Sequence, residues 1–231
     1  MAEILPDLVC AWPQHMDYPL WRQQLRNNRD KFNKVIVIFT NMNVNDNYRH
    51  FLTQAMYEDN VMMMPNDIVT GEEDWRNVAM RKALKYVESD WIWFTEQDFF
   101  FKDGFWDTVK EQMKKVGYIR AMVGDRMHPC CVFIKRFILQ QTSMNFGVIR
   151  DVSDHFSVLQ KDLERVEHFD IPNDLWTHLG GLSQNMFLLM NGESNFYMPN
   201  EFDKYILDCL EVSVPLHPNF KSLLESYIRI E

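Results

Sequence analysis

Two carboxylates, Glu96 and Asp98, stand two residues apart inside the aromatic run "DWIWFTEQDFFFKDGFW" at 90–106. Burying a pair of charged groups is costly unless a cation or a hydrogen-bond network receives them. Side chains alternate along an extended chain, so acids at positions x and x+2 leaving a strand turn toward one point. Two hard oxygen donors in that arrangement suit Mg2+ or Mn2+, which keeps waters and takes its remaining ligands from a diphosphate. An acid-x-acid triplet is a weak pattern by itself, and a solvated loop pair is its ordinary explanation. A second group lies upstream, where Arg76 and Asn77 fall near the start of a helical stretch. Backbone donors, helix dipole and guanidinium converge at such a place on an anion, although Arg76 could equally pair with Glu72 or Glu73 on the surface.

The elements around these residues decide where they sit. "DLVCAW" is short and apolar, and "KVIVIFT" holds an unbroken apolar run from Val35 to Phe39, as a strand covered on both faces would. Between them "YPLWRQQLRNNRDKF" spaces Leu20, Trp21, Leu25 and Phe32 as a helix. "NYRHFLTQAMYED" reads as a second helix, and "VMMMP" as a third strand stopped by Pro65. "TGEEDWRNVAMRKALKYVESD" opens with Thr70 and Glu73 in capping-box spacing, then shows an apolar helical face. "WIWFT" (91–95) is the fourth strand. Alternating strands and helices imply an α/β fold with a mostly parallel sheet and helices on both faces. Ligands in such sheets bind in the crevice beyond the carboxyl ends of the strands, which is where Glu96 and Asp98 fall.

In the second half "GFWDTVKEQMKKV" and "DHFSVLQKDLERV" read as helices, "YIRAMVG" and "CCVFIKRFILQ" as strands, and "NFKSLLESYIRI" as a terminal helix. The chain reads as one domain, 1–231, with a nucleotide-binding half (1–102) and an acceptor-side half (103–231) of mixed character sharing one sheet.

"WRNVAMRKALKYVESDWIWFTEQDFF" resembles the segment of GT-A-fold glycosyltransferases in which an Arg-Asn-x-Ala helix leads into a strand ending in Asp-x-Asp. The similarity covers mainly residues 1–105, and its motifs are specific only in combination. It implies a GT-A-like fold and a nucleoside diphosphate sugar bound across the strand ends, with a divalent metal, Mn or Mg, on the diphosphate. Carried over by position, Asp98 is a metal ligand, and Glu96 contacts the ribose or the metal. Arg76 and Asn77 lie beside the donor. Many members hold the base with an acid after the second strand, where this chain offers Thr40 and Asn41, so the base is left open. Some members complete the metal shell with a late His, a role for His217 or, alternatively, His178 beside Gly180-Gly181. Inverting members place an acid in the second half as general base. Asp174 is the first choice over Asp170 and Asp154, because it leads through Trp176 toward the Gly-Gly pair; Trp176 is the aromatic best placed to stack on a sugar. A retaining enzyme would need no such base.

The reading is a metal-dependent hexosyl- or pentosyltransferase acting on an acceptor hydroxyl. Two rivals share the sheet. A nucleotidyltransferase usually shows a glycine-rich phosphate loop after the first strand, where this chain reads "AWPQHMDYP". A catalytically inactive sugar-nucleotide-binding module would have less reason to carry Glu96, Asp98, Arg76 and Asn77 together. The acceptor is open among glycan, lipid-linked sugar, protein and modified nucleic acid. A net charge of −9 counts against bulk binding of a phosphate backbone. No apolar run reaches the ~18 residues of a membrane span, and "MAEILPDLVC" has no basic start. The expected location is the cytoplasm, or the host cytoplasm for a viral protein. The four cysteines lack zinc-type CxxC spacing and read as reduced thiols, and His128 in "MHPCCVFIKR" suggests no chemistry from spacing alone.

Overall fold

The computed structural model describes residues 4–10, 25–39, 57, 61–65, 75–96, 99–147 and 156–178. Within them a seven-stranded sheet runs β3-β2-β1-β4-β7-β6-β8. The strands are β1 (Asp7–Cys10), β2 (Val35–Phe39), β3 (Val61–Pro65), β4 (Trp91–Thr95), β6 (Tyr118–Val123), β7 (Arg126–Lys135) and β8 (His168–Asp170). A separate two-stranded ribbon pairs β5 (Phe99–Phe101) with β9 (Trp176–His178). β1 to β4 are parallel, β7 runs against its neighbours β4 and β6, and β8 is parallel to β6. The mostly parallel sheet expected from strand–helix alternation is therefore present, and β4 joins its parallel half to its mixed half.

Alternation along the strands explains why the central ones are apolar throughout. Leu8, Val35, Val37, Trp91, Trp93 and Phe133 point into one layer. Val9, Ile36, Ile92, Phe94, Val132 and Ile134 point into the other. The first layer is covered by Leu25, Phe32 and helix α2 (Phe105–Gln112), which contributes Phe105, Trp106 and Val109. The second is covered by Ala79, Met80 and Ala83 of α1 (Trp75–Leu84), Leu139 of α3 (Arg136–Leu139) and Leu159 of α4 (Ser157–Asp162). Trp93 stacks on Phe133 at 5.2 Å and meets the edge of Trp106 at 5.0 Å. Such pairs contribute ~0.5–1.5 kcal/mol each beyond area burial. The aromatic residues before Glu96 are thus core on both faces, and the polar character begins where β4 leaves the sheet.

Two sequence expectations are corrected, and one strand pairing is new. "CCVFIKRFILQ" is not one strand: β7 starts earlier, at Arg126, and ends at Lys135, after which Arg136–Leu139 turns helical and buries Leu139. The Arg136 N–H donates to the Asp90 carbonyl at 2.8 Å, tying this turn to the entry of β4. "DHFSVLQKDLERV" yields only a short helix, α4. The pairing of "FFF" with "WTH" as a ribbon was not foreseen, because each strand has only three residues and little periodicity to show. The expected capping box at Thr70 and Glu73, most of "NYRHFLTQAMYED" and the terminal helix lie outside the described residues. No described helix is long and apolar enough to cross a membrane.

Candidate functional site

The chain runs outward from β1 through β2 to β3, then returns to place β4 on the other side of β1. This reversal opens a crevice beyond the carboxyl ends of β1 and β4, the position where open α/β sheets bind ligands. Val9 pairs with Phe94, so the next residues, Cys10 and Thr95, close the two strands at one level. Glu96 follows directly.

Three interactions fix Glu96. Its N–H donates to the Cys130 carbonyl at 3.3 Å, and the neighbouring Thr95 Oγ1 donates to the same oxygen at 3.0 Å. Its Oε2 lies 3.2 Å from His178 Nε2 and 3.8 Å from His128 Nδ1. All three side chains are only 14% exposed, so the carboxylate and the imidazoles interact with little screening by water.

Each partner arrives by its own route. His178 comes from the ribbon, where its pairing with Phe99 sets it beside the chain that leaves β4. His128 and Cys130 come from β7. The β6–β7 pairing runs Arg120↔Val132 and then Met122↔Met127, so β7 carries extra residues opposite Ala121. Such an irregularity re-aims side chains, and this one contains His128, Pro129 and Cys130. The Cys130 N–H donates to His128 Nδ1 at 3.1 Å, fixing the ring. The ligand-capable atoms of His128, Cys130 and His178 all lie within 4.8 Å of one another. Next to them Cys131 is fully enclosed, and burial pushes its thiol well above the ordinary range. That thiol is inert packing.

The expected site residues fall into distinct groups. Glu96 is in the crevice, and His178 stands beside it. Asp98, Thr40, His217 and Asp154 lie outside the described residues, as does the Gly180-Gly181 pair. Arg76 is in the first turn of α1, and only its backbone is described. Asn77 is buried and its amide is engaged within the protein: its Nδ2 donates to Asn145 Oδ1 at 3.2 Å, and its Oδ1 accepts the Phe146 N–H at 3.0 Å. In this arrangement Asn77 anchors α1 to the turn at 145–147 instead of presenting its amide to a donor. Asn77→Ala is accordingly expected to destabilise the fold by about 1–3 kcal/mol, because it strands the Phe146 donor. Chemical denaturation would check this, and unchanged stability with weakened ligand binding would return Asn77 to the donor site.

Trp176 is also a core side chain. It is 8% exposed, stacks on Phe99 at 5.7 Å, and donates from Nε1 to the Ile171 carbonyl at 3.4 Å. Phe99 covers one face of the indole. Asp174 is exposed in the 3-10 turn Asn173–Leu175, just before β9. His178 is four residues further on, so the two are separated by at most ~14 Å of chain. Asp170 is ion-paired to Arg120 at 2.7 Å. Two members of the cluster, His128 and Cys130, had escaped notice. Their x, x+2 spacing in "HPC" puts both on one side of an extended segment, but only the irregularity in β7 shows that this side meets Glu96.

The fold is GT-A-like. No protein-family profile and no curated protein sequence matches the chain. Among solved structures it is similar to the mannosyltransferase PcManGT from Pyrobaculum calidifontis in complex with GDP-Man and Mn2+, with 15% identity, 99% of this chain and 79% of that one covered, and a TM-score of 0.50. It is similar to a 1–349 form of TarS from S. aureus at 10% identity and a TM-score of 0.53, covering 92% of this chain and 73% of that one. It also matches glucosyl-3-phosphoglycerate synthase from Mycobacterium tuberculosis in complex with Mn2+, uridine diphosphate and glucosyl-3-phosphoglycerate. There the identity is 11%, the TM-score 0.50, and coverage 83% of this chain and 81% of that one.

Proposed function

We propose that the protein is a glycosyltransferase that moves a sugar from a nucleoside diphosphate sugar to an acceptor hydroxyl with the help of a divalent metal. The observation that carries this reading is Glu96, held beyond the carboxyl end of β4 at the strand-order reversal, with His178 at 3.2 Å. Two of the similar structures hold Mn2+ together with a nucleotide or nucleotide sugar, which fits a donor lying across these strand ends. The Glu96 carboxylate is an oxygen donor of the kind that Mn2+ and Mg2+ take. Glu96 and His178 would hold it together with Asp98, so that His178 takes the place first given to His217.

When bound, the metal offsets negative charge on the departing diphosphate. The chain's own contribution is positioning. The Cys130 carbonyl holds the backbone of Glu96 and the hydroxyl of Thr95, and the Glu96 carboxylate faces His178 and His128. Arg76, on the first turn of α1, would add positive charge beside the diphosphate. Asp174 is the proposed base for the acceptor hydroxyl if the sugar is transferred with inversion; its exposure leaves it open to an incoming acceptor.

A thermal-shift screen of sugar nucleotides with and without Mn2+ tests the reading. A ligand that binds only the native state raises its apparent stability by about 2.7 kcal/mol at a hundred times its dissociation constant. One sugar nucleotide is expected to stabilise the protein in a Mn2+-dependent way, and Asp98→Ala to abolish the effect. If no nucleotide shifts the transition of either protein, the proposal fails.

A further inference from the structure

We propose that Glu96, His128, Cys130 and His178 form a second kind of metal site, a tetrahedral one selective for zinc-class cations. The proposal goes beyond sugar transfer and stands on these four side chains alone. In tetrahedral zinc sites the ligand bonds are ~2.0–2.3 Å, which separates the ligand atoms from one another by roughly 3.3–3.8 Å. Glu96 Oε2 already lies 3.2 Å from His178 Nε2 and 3.8 Å from His128 Nδ1. The two imidazole rings are 4.4 Å apart, and the Cys130 sulfur lies within 4.8 Å of both ring ligand atoms. Glu96 reaches the two imidazoles but stands outside that mutual 4.8 Å group, so its carboxylate would turn toward the Cys130 sulfur to complete the set.

The chemistry of the donors sets the selectivity. A thiolate and two imidazoles favour Zn2+ and Co2+, whereas Mg2+ and Mn2+ prefer oxygen. Cys130 is buried, so the thiolate would be shielded from water, and binding would release its proton. The Cys130 N–H bond to His128 Nδ1 places the proton of that ring on Nε2; a cation binding at Nδ1 takes over that bond. The four ligands come from the end of β4, the irregular segment of β7 and β9. A bound ion would therefore clasp the ribbon to the main sheet. It would also occupy Glu96 and His178, so zinc and a donor-bound cation would exclude each other.

Titration of the wild-type protein with Co2+, followed by optical absorption, tests this directly. The expected result is one equivalent bound, with a thiolate-to-cobalt charge-transfer band and the intense visible bands of a tetrahedral ion. Stoichiometric Zn2+ should abolish both, and excess Mg2+ neither. Cys130→Ser should remove the charge-transfer band and weaken Zn2+ binding by at least about tenfold, since even outer-shell changes cost 10–100-fold. Cys131→Ser should keep the band. Zinc K-edge absorption of the wild-type protein gives a readout that needs no variant, with one sulfur neighbour expected. A weak six-coordinate cobalt spectrum, a band that survives Cys130→Ser, or an absence of sulfur around zinc would overturn the proposal. Donor binding with Mn2+ is measured separately, so the loss of either result leaves the other standing.

Discussion

Glu96→Gln is expected to lower sugar transfer by about 10²–10³-fold, the usual loss when one preorganised charge-stabilising group is removed. Glutamine keeps the length and shape of the side chain, so the backbone bond to the Cys130 carbonyl at 3.3 Å has no reason to change. What disappears is the negative charge 3.2 Å from His178 Nε2. A neutral amide is a poor metal ligand, so the Mn2+ concentration needed for half-maximal rate should rise together with the loss of rate. Glu96→Asp keeps the charge but shortens its reach, and should recover part of the activity. Single-turnover rates over a range of Mn2+ concentrations would separate these effects. A variant that transfers sugar at the wild-type rate would place the chemistry elsewhere in the crevice.

The second large effect is structural and arises at the opposite end of the strands. Asp7, the first residue of β1, has no exposed surface. Its carboxylate accepts the Glu88 N–H at 2.6 Å, the Ser89 N–H at 2.9 Å, the Ser89 hydroxyl at 2.8 Å and Asn33 Nδ2 at 3.0 Å. Residues 88–89 precede β4 and Asn33 precedes β2, so one side chain pins the entries of the three central strands. Asp7→Ala removes the shared acceptor of these half-buried donors and is expected to cost about 3 kcal/mol, an unsatisfied group contributing ~1–3 kcal/mol. In a domain of this size that corresponds to a fall of about 6–12 °C in Tm.

Burial raises the Asp7 pKa, but the four hydrogen bonds outweigh it and leave the carboxyl below its ordinary value. The folded state therefore favours the ionised form. Its contribution to stability is fully present above the unfolded pKa of ~3.9 and is lost as pH falls through the lower folded value. Asp7→Asn should be less stable than wild type near neutral pH, and the difference should narrow in acid. Denaturant melts at several pH values would show this. A stability gap that stays constant down to the lowest pH would mean that the charge on Asp7 contributes nothing.

The parallel half of the sheet was legible because its strands are short unbroken apolar runs, and residues buried on both faces leave that mark. The position of Glu96 at the end of β4 followed from counting strands, since the fourth apolar run ends at Thr95. Trp176 and Asn77 have protein partners that the sequence does not show, for a common reason. An aromatic or an amide near a motif looks the same in sequence whether it faces ligand or core, and only Phe99 and Phe146 show which it is. His128 and Cys130 were illegible because β7 leaves regular pairing between Met127 and Cys131, and strand periodicity cannot locate side chains there. His178 reaches Glu96 through a three-residue ribbon that is too short to announce itself by pattern.

The central claim is that the carboxyl end of β4 binds a metal ion together with a nucleoside diphosphate. Mn2+ titration followed by electron paramagnetic resonance tests it most directly, because protein-bound Mn2+ loses the sharp signal of the free hydrated ion. For wild type, the free-ion signal is predicted to fall when a nucleoside diphosphate is added, beyond the fall that the nucleotide causes alone. In Glu96→Ala that additional fall should vanish. Equal signals with and without the protein, or a fall that Glu96→Ala leaves intact, would contradict the account.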